Sequence, residues 1–358
     1  MSVRQLIQTF ETWRGRGAPM VLATVYDTIG STYSKAGHRI LIDANGDYQG
    51  LVSGGCLEGD LAERARGVLD SGKAQAVTYD LRDEADNLWG LGVGCNGLIR
   101  VFLQALTAPE DYQPFTSIAG RLLATRPSVV ATVVASHTAA TPPGATLIWS
   151  PAGSERWKLD ESTGNRLAQG CRSTLATDRT RYESDGPDLE VLYALLKPVP
   201  RLLVLGAGLD AVPLVDMAVD LGWLVTVADH RPAYLEKGGF ERAERAVVVD
   251  PRALSVELAL EDFDAIVVMS HHLDTDRTYL RQLASVDTTR YLGVLGPPAR
   301  RNRLLEELGE SGIELRSKLK GPVGLDIGAD SPESIALSLL AELHATLAGA
   351  TGATLTAG

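Results

Sequence analysis

In the second half of the chain, apolar residues come in short unbroken runs separated by stretches of helical period. Arg201-Leu202-Leu203-Val204-Leu205 is short and branched enough for a buried parallel strand. Leu209, Val212, Val215, Met217 and Leu221 then recur at roughly helical spacing until Gly222 stops them. Trp223 to Val227, Ala246 to Val249, Ala265 to Met269 and Tyr291 to Leu295 repeat the strand pattern, the last three each followed by loop and helix. This alternation predicts a Rossmann-like, doubly wound parallel sheet. Ser331 as N-cap and Pro332 at the first helical position open a final helix.

The first half reads as an α+β or α/β domain. Ser2 and Gln5 have capping-box spacing, and Leu6, Phe10 and Trp13 share a helical face. Strands are expected at Met20 to Val25, Arg39 to Ile42, Tyr48 to Val52 and Leu98 to Leu103, with a turn at Asn45-Gly46. Leu57, Leu61, Ala65 and Val68 give a helix between the last two. Val129 to Val134, a Ser/Thr loop and Gly144 to Ile148 echo the first strands at an offset of about 108 residues. The expected organisation is an N-terminal domain over 1–106, a middle region over 107–197 that reads as a degenerate second unit packed on the first, a Rossmann-like domain over 198–348 and a flexible tail over 349–358.

With 358 residues the chain can bury a sizeable core, and a formal charge of −11 leaves no basic footprint for nucleic acid. Three cysteines, Cys56, Cys95 and Cys171, make no disulfide framework, which points to a reducing compartment. No signal peptide or run of eighteen apolar residues is present, so a cytoplasmic protein without a membrane anchor is expected.

Gly206-Ala207-Gly208-Leu209-Asp210-Ala211 lies between a strand and a helix, and Asp229 follows about twenty residues later. In this G-x-G-x-x-A form, Gly206 and Gly208 allow backbone to approach phosphate, and Asp229 is placed to accept a ribose hydroxyl. Arg231 leaves the choice between the two nicotinamide dinucleotides open. Asp210, in the first helical turn, is expected to repel a pyrophosphate.

Gly54-Gly55-Cys56 delivers a thiol to a helix N-terminus, which favours a thiolate, while Glu58 and Asp60 oppose it. A small residue buried in a tight turn is the alternative for Cys56. Gly94-Cys95 ends a second glycine-rich loop that opens at Trp89, and two glycine-flanked cysteines at element junctions suggest one site. Their spacing fits no structural zinc motif. His271 and His272 stand at a strand's carboxyl end, as ligand residues or as helix caps, with Asp274 the expected nearest carboxylate. Cys171 lies in a polar stretch and is assigned no role.

Several of these segments, in this order, resemble the xanthine dehydrogenase accessory factors of the XdhC/CoxI family. They are Gly30-Ser31, Gly54-Gly55-Cys56-Leu57-Glu58, the Trp89 to Gly97 loop, Gly206-Ala207-Gly208, Val227 to Pro232, and Gly324 to Ala329 with Ser331-Pro332-Glu333. Tyr33 stands where many members carry proline, and Gly94-Cys95-Asn96-Gly97 replaces the Cys-Gly-Gly of others. The resemblance implies a chaperone that binds molybdenum cofactor (molybdopterin), protects it during sulfuration and inserts it into a xanthine dehydrogenase-type molybdenum hydroxylase. It further implies Cys56 and Cys95 at the metal end, a homodimer, and a cysteine desulfurase as sulfur source. The competing reading is an NAD(P)-dependent oxidoreductase built on the Rossmann-like domain, for which His271 and His272 are the available acid/base groups.

Overall fold

The computed structural model describes residues 2–55, 57–82, 97–287 and 289–357. The chain divides into two compact units between Pro198 and Val199.

In the first unit, Ser2 caps α1 (Val3–Gly15) through a complete capping box with Gln5. Then come β1 (Met20–Gly30), β2 (Arg39–Asp43), β3 (Tyr48–Gln49), α2 (Glu58–Ser71), β4 (Gln75–Asp80) and β5 (Gly97–Leu106). After α3 (Phe115–Leu122) the series continues with β6 (Ser128–Ser136), β7 (Thr146–Ser150), β8 (Gly153–Trp157), α4 (Glu161–Thr177), β9 (Arg181–Asp185) and β10 (Leu189–Leu196). The strands form two antiparallel sheets with the same order, β3-β2-β1-β5-β4 and β8-β7-β6-β10-β9. In each, a helix follows the third strand in sequence and covers one face.

Strand alternation explains the layering. Val21, Ala23 and Val25 of β1 face α2 with Ile40 and Ile42, while Met20, Leu22 and Leu41 pack on α1, α3 and the second sheet's Val130, Ile148 and Leu196. A central strand buried on both faces reads as an unbroken apolar run. Phe10 is fully buried there, edge-on to Tyr112 and Phe115. The second sheet buries Val129, Ala131 and Val133 against α4, and Cys171 belongs to that core. The thiol expected in a polar stretch is thus enclosed, and burial pushes its pKa up to about 12. The stretch is polar only on the outer face of α4, which periodicity conceals in a linear reading.

The second unit runs β11 (Arg201–Leu205), α5 (Ala211–Asp220), β12 (Leu224–Asp229), α6 (Pro232–Glu236), β13 (Arg245–Val248), α7 (Leu254–Glu257), β14 (Ala265–Val268), α8 (Leu273–Leu283), β15 (Tyr291–Val294), α9 (Pro298–Glu307), α10 (Glu310–Leu315), β16 (Leu319–Lys320) and α11 (Pro332–Ala348). All pairings are parallel, in the order β13-β12-β11-β14-β15-β16. This is the Rossmann-like sheet, and its direction of winding reverses between β11 and β14. Leu202 and Val204 point to α5 and α11, Leu203 and Leu205 to α8 and α9. The face of α5 differs from the expected one: Ala211, Leu214, Val215 and Ala218 are buried, whereas Leu209 is 76% and Leu221 48% exposed. Leu209 precedes the helix, which shifts the buried stripe. Among the described residues no helix is long and apolar enough to cross a membrane.

Phe10→Ala removes a fully buried ring between two aromatic neighbours. It is expected to destabilise the first unit by about 3–5 kcal/mol, measured by urea unfolding followed at a probe within residues 2–198.

Candidate functional site

β3 ends early because Gly50 packs directly on β2. A Cβ there would lie 2.4 Å from Ile40 Cγ2, and its φ is +120°. The chain then turns through Leu51 to Gly55, with Gly54 and Gly55 at φ +78° and +116°. Glu58 holds this turn from inside. Its carboxylate accepts hydrogen bonds from the backbone N–H groups of Val52 (2.8 Å), Ser53 (2.9 Å), Gly55 (3.0 Å) and Leu57 (3.2 Å), and from the Ser53 hydroxyl (2.7 Å). The residue is 1% exposed. Burial raises its pKa, but the hydrogen bonds from Ser53 and Val52 outweigh it and the net shift is downward. Glu58 therefore occupies the N–H groups of Gly55 and Leu57 that a thiolate at this helix start would use, so they are not free as the sequence suggested. Asp60 is likewise engaged, by Arg64 and the Tyr79 hydroxyl.

The Gly30-Ser31 element adjoins Gly97 on one side and, through Tyr33, Gly54 on the other. Gly30 pairs with Gly97 across β1 and β5. A Cβ on Gly97 would meet Ser31 O and Thr32 Cγ2 at 2.6 Å, and one on Gly54 would touch the Tyr33 ring at 3.8 Å. The segment from Gly30 to Tyr33 thus contacts the described flank of each motif. Cys56, Gly94 and Cys95 lie outside the described residues. Among the described residues no group of three or more His, Cys, Asp or Glu is arranged to hold a metal.

In the second unit, Gly206 has φ +129°, and a Cβ would lie 2.5 Å from Met269 O and 2.7 Å from Ser270 N. Its role is to let the ends of β11 and β14 approach. Asp229, wholly buried, accepts from Ala207 N–H at 2.8 Å and from the backbone and guanidinium of Arg231 at 2.8–2.9 Å. Burial raises its pKa, and the Arg231 and Ala207 hydrogen bonds carry it below the ordinary value. Both oxygens are engaged, so the ribose contact expected of Asp229 has no exposed acceptor. Arg231 is held flat, bidentate on Asp229 and stacked over Tyr234 at 3.5 Å.

Asp210 and His271 also differ from expectation. His271, at φ +62°, places Nε2 2.8 Å from Asp210 Oδ2, so the carboxylate partner is Asp210 rather than Asp274. Asp274 is turned away to Arg277. Gly208 adjoins this pair, and a Cβ on it would meet Asp210 Oδ1 at 2.4 Å. His272 occupies the N-cap position of α8 without capping it and contacts Thr275 instead. Sequence reasoning missed a second carboxylate anchor. Buried Asp276 takes the N–H and hydroxyl of Ser270 and is paired at 2.6 Å with Arg300. Its only signal is a polar residue at a core position of α8.

Residues 13–80 match the family model described as XdhC and CoxI family, and residues 202–343 match the XdhC Rossmann domain. A protein of Bacillus subtilis (strain 168) named as a probable xanthine dehydrogenase subunit is 33% identical over 328 residues, 91% of this chain and 92% of that protein. The chain belongs to the XdhC and CoxI family. The "Molybdenum cofactor insertion chaperone PaoD" of Escherichia coli (strain K12) is 24% identical, over 92% of this chain and 83% of its own. A crystal structure described as a xanthine dehydrogenase from Bacillus halodurans is similar over 100% of this chain and 98% of that one, with a TM-score of 0.77 at 29% identity. Glu58 and Asp229, which hold two of these turns, each lie within a matched span.

Two predictions test this geometry. Glu58→Gln should cost about 3 kcal/mol near neutral pH, since it removes a buried charge from several N–H donors. Because the folded-state pKa of Glu58 is depressed, its contribution is present above the ordinary value of 4.5 and is lost as pH falls through the folded value. Wild-type stability should therefore fall more steeply than that of the variant below that pH, as read by urea unfolding across pH. Gly206→Ala should destabilise by about 3 kcal/mol or more, because it clashes with backbone, whereas Gly208→Ala displaces only an exposed ion pair and should cost about 1 kcal/mol or less. Thermal unfolding of both variants compares them.

Proposed function

We propose that this protein is a molybdenum cofactor-binding chaperone that protects the cofactor and inserts it into a xanthine dehydrogenase-type molybdenum hydroxylase. The observation that carries this reading is the contact of the Gly30 to Tyr33 segment with the flanks of both cysteine motifs, at Gly54 and at Gly97. It supports treating Cys56 and Cys95 as parts of one site on residues 1–106. The PaoD name and its coverage of this chain support the cargo class. Thiolates are soft donors suited to a dithiolene-bound metal, so the donor set fits molybdopterin. The cargo brings the metal and its exchangeable sulfur. The chain's own part is to hold the metal end through Cys56 and Cys95 on a turn kept rigid by Glu58, and to release it to the client.

The further elements of the proposal are a cytoplasmic homodimer, transient cofactor binding, and a cysteine desulfurase that supplies sulfur. Gly54, Gly55 and Gly94 let the cargo approach backbone beside the thiols. Gly206, Gly208, Arg231 and His271 enter the proposal as candidate ligand contacts of the second unit taken by itself. The oxidoreductase reading is weaker, because Asp229 is spent on Ala207 and Arg231 and offers a dinucleotide ribose no acceptor.

The test is purification from cells able to make molybdenum cofactor, with metal content and absorbance recorded for wild type, Cys56→Ser and Cys95→Ser. Wild type should carry molybdenum and a pterin absorbance. Each variant should lose most of the metal while its melting temperature stays within a few degrees, since a turn cysteine contributes little core burial. Metal-free wild-type protein, or variants that retain full metal, would sink the reading.

A further inference from the structure

A cavity of about 220 Å³ opens on the α1 side of the first sheet, lined by Val3, Leu6, Leu51, Leu122, Tyr33 and Arg39 among others. Its walls are mostly apolar, and Arg39 brings a permanent cation to it. Strand alternation sets that direction. Ile40 and Ile42 face α2, while Leu41 faces α1, so Arg39 has the same parity as Leu41 and points toward α1.

Arg39 is half-buried, and no carboxylate among the described residues pairs with it. Burial alone acts on the guanidinium and pushes its pKa down to about 10. An uncompensated cation is costly to bury, so an anion that arrives there recovers the lost interaction. The cavity also adjoins the first cysteine motif. Its Tyr33 ring lies against Gly54, and its Leu51 wall accepts the Ser34 hydroxyl at the start of the turn held by Glu58.

We propose that this cavity is the subsite for the phosphate of a phosphate-bearing ligand, with Arg39 as its cation and the apolar wall at Tyr33 flanking the rest of the molecule. Resting on the chaperone reading, this assigns the phosphate end of the cargo to the Arg39 cavity and its metal end to the cysteines of the same unit.

The experiment uses the full-length protein with inorganic phosphate as probe, sulfate as charge control, and binding followed by calorimetry and phosphorus NMR. Wild type should bind phosphate. Arg39→Gln should weaken binding by at least about tenfold, with a melting temperature equal to or above wild type because an unpaired cation is gone. Arg39→Lys should retain most of the affinity. Cofactor extracted from a molybdenum enzyme should displace phosphate, whereas a nucleoside monophosphate should not.

No phosphate binding by wild type, unchanged binding by Arg39→Gln, or binding lost together with a large fall in melting temperature would each overturn the proposal, as would displacement by the nucleotide alone. Cys56→Ser separates the two readings. Retained phosphate binding with lost molybdenum supports both, and Arg39-dependent phosphate binding in a wild-type protein that never carries molybdenum keeps the subsite and removes the chaperone assignment. Molybdenum bound without any phosphate site removes only the subsite.

Discussion

Carboxylates that accept backbone N–H groups, three of them buried and one half-buried, hold the turns on which this protein's motifs lie. Glu58 gathers the turn from Val52 to Leu57, Asp229 takes Ala207, Asp276 takes Ser270, and Glu342 takes Gly324 at 2.8 Å. Glycine allows these backbones to approach their neighbours but does not fix them, and it loses more entropy on ordering than any other residue. A charged acceptor reached by several donors supplies the fixing, because charge-assisted bonds are roughly twice as strong as neutral ones. The turns of both units are thereby fixed by charge as well as by the core residues they carry, such as Val52, Leu57 and Ala207.

The same arrangement determines where cations are available. Arg231 is committed to Asp229, Arg300 to Asp276 and Lys320 to Glu342. In an acidic chain such pairing leaves little positive field at the carboxyl edge of the parallel sheet, which is where a Rossmann-type ligand would be expected. Arg39 differs in having no such partner among the described residues. The Rossmann-like unit keeps the architecture of a dinucleotide site while its acid and its arginine satisfy each other.

Much of this was legible in the sequence. Strand β11, the capping box at Ser2, the N-cap at Ser331 and the glycine turn at Gly206 all follow from local chemistry, and the parallel order follows from the alternation of strands with helices. The reading failed where a side chain reaches across sequence. His271 meets Asp210 sixty-one positions away, and no local rule pairs them. Asp229 looked like a ligand acceptor because its position in the motif is right, yet the deciding fact is the orientation of Arg231, two residues on. Glu58 was read by its charge alone, as an opponent of the thiolate, whereas its geometry makes it the organiser of the turn. Arg39 gave no signal, since a charged residue at the start of an apolar run reads as a strand end.

The two sheets of the first unit have the same strand order and differ most in the length of one junction. Between β9 and β10 the chain passes through residues 186–188, while between β4 and β5 it takes residues 81–96. The second sheet thus serves as an internal control for the first, because it shows that this topology closes with a minimal connection. Residues 81–96 are surplus to what the sheet order requires. A connection longer than the strand order requires leaves its sequence, with its glycines and cysteine, to be accounted for by something other than strand pairing.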